Sequence, residues 1–182
     1  TTGGAIDYNL FTLSNKLLNN KVHSPVIEFC FQGPSLKLMK GFSRIVISGN
    51  VLFNIKTSKK IIKGIPNQSY LLKKGDIIDI ISTLRSNYGY LSVEGGFNIT
   101  KKFGSFSTLT TAKIGPNKGQ KILNNQKIFI NKKGSSDINS RIYINTQKLS
   151  HCIRVIPGPQ MNYFFPKIIK NFFEKSFKIG NN

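Results

Sequence analysis

The sequence predicts a mainly β fold with a few helices, and three observations lead to this prediction. Short apolar runs typical of strands recur at close intervals, and Gly, Pro and Asn residues separate them. Only two segments carry helical spacing. Hydrophobic residues make up 39% of the 182 residues, which is enough for one folded unit with its own core. Many short strands with turns between them indicate a sandwich or a barrel.

The first predicted element is a short amphipathic helix over residues 7 to 19, "DYNLFTLSNKLLN". Asp7 is a suitable N-cap, and Leu10, Leu13 and Leu17 follow at helical spacing.

The second element is a half-buried strand in the run "VIEFCFQG". Strict alternation places Ile27, Phe29 and Phe31 on one face and Glu28 and Cys30 on the other. The polar face is either the wet side of an edge sheet or the wall of a cleft, and in the second case Glu28 points at a ligand.

Further strands are predicted along the chain, and a helix closes it. The strands are "RIVIS", "VLFNI", "DIIDIIS", "GYLSV", "KIFI", "RIYI" and "CIRVI". The closing helix is "PKIIKNFFEKSF", with Pro166 in its first turn. Residues 131 to 140 are the best candidate for a long loop. The rigid corner in "RVIPGPQ" fixes the direction of Gln160, either as ordinary turn chemistry or to hold a polar group for a ligand.

The charge of the chain is +20, from 27 basic and 7 acidic residues. Such a balance suggests nucleic acid, but the lysines are dispersed and only four of the basic residues are the arginines that recognise phosphate best. We therefore expect no nucleic-acid partner. No run is apolar enough to span a membrane and the N-terminus lacks signal-peptide features, so we expect a cytoplasmic protein. No metal site is predicted, because ligands at usable spacings are missing.

The stretch "GYLSVEGGFNITKKFGSFST", residues 89 to 108, is rich in glycine but matches neither the P-loop nor the dinucleotide-binding pattern. Its glycines favour a structural interpretation as turns and bulges. The polar residues after Gly104 either cap a turn or bind an anion.

Several of these segments, taken in order, resemble one known family. They are "GAIDYNLFTLSN", "QGPSLKL", "LKKGDII", "GYLSVEGGFN", "FGSFSTLT", "KIGPNKGQKI" and "RVIPGPQ". The set is similar to the allophanate hydrolase subunit 2 family, also called the carboxyltransferase domain subdomain A/B family. Residues 1–182 resemble a partial domain of this family, as one unit or as two lobes dividing near residue 100. The family's first and last polar motifs are absent, and Phe106 stands where the family has an arginine.

The resemblance implies a cyclophilin-like β-barrel and a role in amide chemistry. Its first implication is a KipA-like component, of the C type, in an ATP-dependent 5-oxoprolinase complex that hydrolyses 5-oxoproline, with ATP bound by the complex. The partners would be a KipI-like protein and a LamB/YcsF-like protein. The alternatives are a carboxyltransferase module that works with biotin on urea or a related amide, and a non-catalytic regulator that binds a kinase inhibitor.

The catalytic residues are not assigned by the sequence, but a set of polar and glycine residues is expected to line a shared cleft. These candidates are Asp7, Asn15, Glu28, Gly95, Gly96, Gly104, Ser105, Ser107, Thr108 and Gln160.

Overall fold

A computed structural model describes residues 3–131, 140–142 and 155–176 of the chain. The chain forms two compact units, Thr1–Ile144 and Asn145–Asn182. The expected lobe boundary near residue 100 stays a prediction. No helix among the described residues is long and apolar enough to cross a membrane.

The first unit is mainly β, as predicted, with eight strands and two helical segments. The strands are β1 (Ile27–Cys30), β2 (Ser35–Lys37), β3 (Phe42–Ser48), β4 (Val51–Lys56), β5 (Ile61–Lys63), β6 (Ser69–Lys73), β7 (Ile77–Thr83) and β8 (Tyr88–Val93). Helix α1 (Tyr8–Lys16) precedes them, and the short turn α2 (Pro116–Gly119) follows them.

The strands form two four-stranded antiparallel sheets. Sheet A has the order β1-β8-β3-β6 and sheet B the order β2-β7-β4-β5. Within the described part of the chain, the strand pairings close neither sheet into a barrel. The coarse prediction of a mainly β fold is confirmed, while the cyclophilin-like barrel stays a prediction.

The core lies between the two sheets because strand residues alternate between faces. Both sheets contribute buried aliphatic and aromatic side chains to one cluster: Ile27, Phe29, Ile45, Ile47, Leu72, Leu91 and Val93 from sheet A, and Val51, Phe53, Ile55, Ile78 and Ile80 from sheet B. Phe53 is fully buried, and its ring meets that of Tyr70 edge-on with centroids 6.0 Å apart.

Helix α1 covers part of the other face of sheet A. Leu17 and Leu18, just after the helix, pack on Val46 of β3, with Leu13 at the edge of this smaller cluster. The predicted N-cap is confirmed, since the Asp7 carboxylate accepts a hydrogen bond from the backbone N–H of Leu10 at 3.0 Å.

Some strand predictions were wrong, and the reasons are physical. Phe31 does not continue the buried face of β1, because it adopts a positive φ of 59° and its ring is 64% exposed. The run "KIFI" makes only an isolated bridge between Ile130 and Phe97, since the turn at residues 95 and 96 leaves it no straight partner strand. Sequence analysis missed β2, β5 and β6; two of these are three-residue strands at sheet edges, too short to show alternation.

Two further predictions fall partly on residues that the structure does not describe. In "RIYI", Arg141 forms an isolated bridge with Gln68, and the last two residues lie outside the described part. In "CIRVI", only Val155 and Ile156 are described, and both are exposed and outside any strand. Residues 132–139 of the predicted loop are also outside the described part.

The second unit contains a 3-10 turn (Met161–Tyr163) and helix α3 (Pro166–Glu174). The closing helix is therefore confirmed, with Pro166 at its start. Its apolar residues are not covered, since Ile168, Phe172 and Phe173 are each about half exposed.

Replacement of Phe53 by alanine tests the shared core. Because the ring is fully buried between the sheets, we expect Phe53→Ala to lower the free energy of unfolding by about 3–5 kcal/mol in urea denaturation. Phe42→Ala is the control, since Phe42 is 57% exposed and should cost far less. Equal losses for the two variants would contradict the assignment of the core.

Candidate functional site

Glu28 and Tyr90 are direct cross-strand partners on β1 and β8, so their side chains share one face of sheet A. The Tyr90 hydroxyl donates a hydrogen bond to Oε2 of Glu28 at 2.7 Å. The backbone N–H of Ile6 donates to the same oxygen at 2.9 Å. The carboxylate is thus held from two sides although Glu28 itself is exposed. Among the described residues no donor reaches its other oxygen, Oε1, which is left to accept a hydrogen bond from a ligand.

The Tyr90 hydroxyl also connects Glu28 to the start of helix α1. It accepts a hydrogen bond from the backbone N–H of Asp7 at 2.7 Å, while Asp7 caps the helix with its own side chain. Tyr90 is fully buried. Burial raises the pKa of Tyr90 above its ordinary value of 10.0; the hydrogen bond from Asp7 opposes this, and the hydrogen bond to Glu28 and the nearby carboxylates add to it. The hydroxyl therefore keeps its proton and acts as a fixed donor.

Asn15 belongs to a separate, buried polar cluster between α1 and the end of β8. Its Nδ2 donates to the carbonyl oxygens of Val22 (3.1 Å) and Ser24 (2.9 Å). Its Oδ1 accepts from Oγ of Ser92 at 2.9 Å and from Nδ2 of Asn20 at 3.2 Å. Asn15 is completely buried, so its amide is fully used in holding the helix on the sheet. This contact favours a structural role over the predicted place in a cleft.

Gly95 and Gly96 form the turn that ends β8, and both have positive φ, 81° and 78°. The backbone N–H of Gly95 donates to Oδ1 of Asn20 at 2.8 Å. Asn131 donates to both glycine carbonyls, from its side chain to Gly95 at 3.1 Å and from its backbone to Gly96 at 3.0 Å. The polar backbone groups of this turn already have partners, which supports the structural interpretation of the two glycines.

The hydroxyl residues after Gly104 lie in a tightly packed loop. Oγ of Ser105 accepts a hydrogen bond from the backbone N–H of Ser107 at 3.1 Å. A Cβ on Gly3 would lie 2.9 Å from Cβ of Ser107, and a Cβ on Gly115 would lie 2.4 Å from the Ser107 carbonyl oxygen. Only glycine fits at residue 115, which also has a φ of 119°. Ser107 is therefore packed between the N-terminal segment and this glycine.

Thr108 is held by the same approach of the chain. A Cβ on Gly115 would lie 2.9 Å from its Cα, and the next residue, Leu109, pairs with Ile114 in an isolated bridge. Asn117 and Lys118 then adopt left-handed φ angles of 55° and 56° within α2. The loop thus has a fixed, strained backbone.

The N-terminal segment, residues 3–7, brings three of the predicted residues into one neighbourhood. It contacts Ser107 through Gly3, contacts Glu28 through Ile6, and contains Asp7. Beside it lies an open depression of about 520 Å³, lined by residues 6–9 of this segment and of α1 and by Ser86, Asn87 and Tyr88. We call the segment with Glu28, Tyr90 and Ser107 the N-terminal site.

Gln160 lies in the second unit, where it is exposed and its carbonyl oxygen accepts a hydrogen bond from the Tyr163 N–H at 3.0 Å. Its place in a cleft shared with Glu28 stays a prediction. Within the described residues no group of three or more His, Cys, Asp and Glu side chains is arranged to hold a metal ion.

Sequence reasoning missed Tyr90, which connects the N-terminal site, and the buried charged residues Arg44 and Glu94. Each of the latter is 6% exposed, and the backbone N–H of Glu94 donates to the Arg44 carbonyl at 2.9 Å. A charge inside or next to an apolar strand run was the available signal for these two. No sequence signal distinguished Tyr90, because its importance comes from the register between β1 and β8.

Replacement of Tyr90 by phenylalanine tests the central hydroxyl. Tyr90→Phe leaves the Asp7 N–H without its partner and Glu28 with one donor fewer, so we expect a loss of about 1–3 kcal/mol in the free energy of unfolding. Amide hydrogen exchange at Ile6 and Asp7 should also become faster. Tyr88→Phe is the matched control, because Tyr88 is partly exposed and should cost less. Unchanged exchange at both amides in Tyr90→Phe would contradict this role.

The raised pKa of Tyr90 also predicts a pH dependence. Above pH 10 the unfolded chain ionises this tyrosine while the folded chain keeps the proton, so rising pH favours unfolding. We expect the stability of the wild type relative to Tyr90→Phe to be constant below about pH 9 and to fall from about pH 10 upward. The measurement is urea denaturation of both proteins between about pH 8 and pH 11. A difference that grows with pH would contradict the assigned environment.

Two curated proteins resemble the chain in sequence. It is 24% identical over 193 residues to urea amidolyase from Saccharomyces cerevisiae and 26% identical over 195 residues to urea amidolyase from Lachancea kluyveri. Each match covers 98% of this chain and 10% of the relative. The chain therefore spans about a tenth of the length of the curated relatives it matches.

Two solved structures share the fold. The crystal structure of TTHA0988 superposes with a TM-score of 0.73 at 22% identity, covering 87% of this chain and 57% of that chain. The crystal structure of urea carboxylase from Kluyveromyces lactis gives a TM-score of 0.67 at 25% identity, covering 77% of this chain and 12% of that chain.

The family model for the carboxyltransferase domain, subdomain A and B, matches residues 1–182. The resemblance found in the ordered sequence segments is thereby confirmed. This chain belongs to the carboxyltransferase subdomain A and B family.

Proposed function

We propose that this chain is the carboxyltransferase region of a urea carboxylase system, in which a carboxyl group carried by biotin is transferred to urea or a related small amide. The observation that supports this most is the match of 98% of the chain to urea amidolyases, together with the fold shared with urea carboxylase. This was the alternative in the sequence interpretation. The cyclophilin-like architecture of the complete family domain belongs to the same proposal.

In this proposal the N-terminal site binds the amide. Glu28 presents Oε1 to solvent while Ile6 and Tyr90 hold its Oε2, so the carboxylate has a fixed direction. A carboxylate accepts N–H donors well, and urea and primary amides offer such donors. A charge-assisted hydrogen bond of this kind contributes about 1.5–3 kcal/mol to binding.

The described residues do not by themselves form a site for the biotin ring. The depression beside α1 is open to solvent. The two donors nearest Glu28, the Ile6 N–H and the Tyr90 hydroxyl, already bond that carboxylate and are not directed at a ligand oxygen. Biotin on a carrier would supply the carboxyl group, and the role assigned to this chain ends at binding and orienting the acceptor amide.

The competing function is ATP-dependent hydrolysis of 5-oxoproline by a complex of this chain with a KipI-like protein and a LamB/YcsF-like protein. It has less support, since the curated relatives that the chain matches are named urea amidolyases. In that case ATP would be bound by the complex. A non-catalytic regulator that binds a kinase inhibitor has no specific observation in its favour.

One assay distinguishes these functions. The full-length protein is combined with a biotin carboxylase and a biotinylated carrier, and ADP release is followed with bicarbonate and urea. We expect release that depends on urea and that avidin abolishes. Release that depends on 5-oxoproline, requires the KipI-like and LamB/YcsF-like proteins and resists avidin would contradict the proposal.

The same assay tests the residue. Glu28→Gln keeps the size of the side chain but removes its charge, so we expect kcat/KM for urea to fall about tenfold, mainly through KM. Asp79→Asn is the control, because Asp79 forms an ion pair with Lys56 on sheet B, with Nζ and Oδ2 2.6 Å apart. Equal effects of the two variants would place the amide elsewhere.

A further inference from the structure

Phe103 and Gly104 form the tip of a very tight hairpin. Lys102 and Ser105 exchange two backbone hydrogen bonds, of 2.9 and 3.0 Å, which close a two-residue loop. Phe103 has a φ of 51° and Gly104 a φ of 75°. Two successive positive φ angles define the type I′ turn, for which Asn-Gly is the preferred sequence. A phenylalanine at the first of these positions is unusual.

The fold gains nothing from the aromatic ring at this position. Phe103 is 91% exposed, so its ring is almost entirely in water. A left-handed backbone also disfavours a bulky side chain, and four of the eight non-glycine residues that the structure describes with positive φ are asparagines. Stability alone would therefore favour asparagine at position 103.

The segment that carries this tip is strongly basic. Between residues 95 and 136 the sequence has eight lysines and neither aspartate nor glutamate. Two of these lysines, Lys101 and Lys102, directly precede Phe103, and Nζ of Lys101 lies 5.1 Å from the centroid of the Phe106 ring. Phe129, later in the same segment, is 68% exposed. An exposed ring between positive charges matches an apolar pocket with a negative rim.

Two observations favour a protein as the occupant. The segment has no arginine, whereas surfaces that recognise phosphate, in nucleic acids or lipids, favour the planar guanidinium. In the curated relatives the matching region is a tenth of one polypeptide, so it is present there beside much more protein.

We propose that Phe103 is the anchor of a protein-binding surface. Its ring inserts into an apolar pocket of an acidic partner protein, and Lys101 and Lys102 face carboxylates at the rim of that pocket. The unfavourable backbone conformation is retained because it points the ring away from the fold. This inference is independent of the proposed function.

The chain provides a matched control for this surface in Phe31. Phe31 also has a positive φ, 59°, and its ring is 64% exposed, but it lies outside the lysine-rich segment. Phe103→Asn and Phe31→Asn therefore remove the same ring from the same type of backbone. Both should leave the melting temperature unchanged or raise it slightly, since asparagine tolerates this conformation.

The experiment first identifies the partner through the tip itself. The full-length protein carries photoreactive benzoyl-phenylalanine at position 103, is irradiated in its native cell, and the attached peptide is mapped by mass spectrometry. We expect attachment to a protein at an apolar site flanked by aspartate or glutamate. The affinity of that purified protein is then measured for the wild type and both variants.

We expect Phe103→Asn to weaken binding at least about tenfold, as is typical of an aromatic anchor, and Phe31→Asn to change it less than about twofold. The association rate should fall with added salt because the lysines attract the partner. Attachment only to lipid or nucleic acid, no attachment, or a site without carboxylates overturns the proposal. Equal weakening by the two variants, or a large loss of stability in Phe103→Asn, overturns it as well.

Discussion

The N-terminal site depends on one constraint, which is that the buried hydroxyl of Tyr90 must be hydrogen-bonded. Leaving such a group without a partner would cost about 1–3 kcal/mol. The structure satisfies it as donor to Glu28 and as acceptor from Asp7. The same atom thereby links strand β1, strand β8 and the start of helix α1. Because Asp7 also caps the helix, the direction of the chain before α1 is fixed together with the carboxylate of Glu28.

The two faces of sheet A have different roles, and this difference makes the site possible. One face packs on sheet B in a continuous apolar core. The other is partly covered by α1 and carries polar residues, including the cluster around Asn15 and Ser92. Fully satisfied polar groups under a helix hold it in one position. Glu28 lies on this face but is exposed, so it combines a fixed orientation with access from solvent.

The few carboxylates of this basic chain have local structural partners where the structure describes them. Asp7 caps α1, Oδ2 of Asp76 accepts the Lys73 N–H at 2.8 Å in a turn, and Asp79 pairs with Lys56. Most of the positive charge therefore has no matching negative charge in the composition, which contains 27 basic and 7 acidic residues. Such a field attracts acidic partners over distances of about 10 Å at moderate salt.

The sequence by itself determined the mainly β class, the two longer helices, the Asp7 cap and the family, because alternation, helical spacing, capping chemistry and ordered motifs are all local patterns. It also identified Glu28 as the polar residue on the right strand. Only the tertiary structure decided that Glu28 meets Tyr90, that Asn15 serves packing, and that Phe31 turns outward. These outcomes depend on strand register and on contacts between residues far apart in the chain, such as positions 28 and 90, which no local pattern encodes.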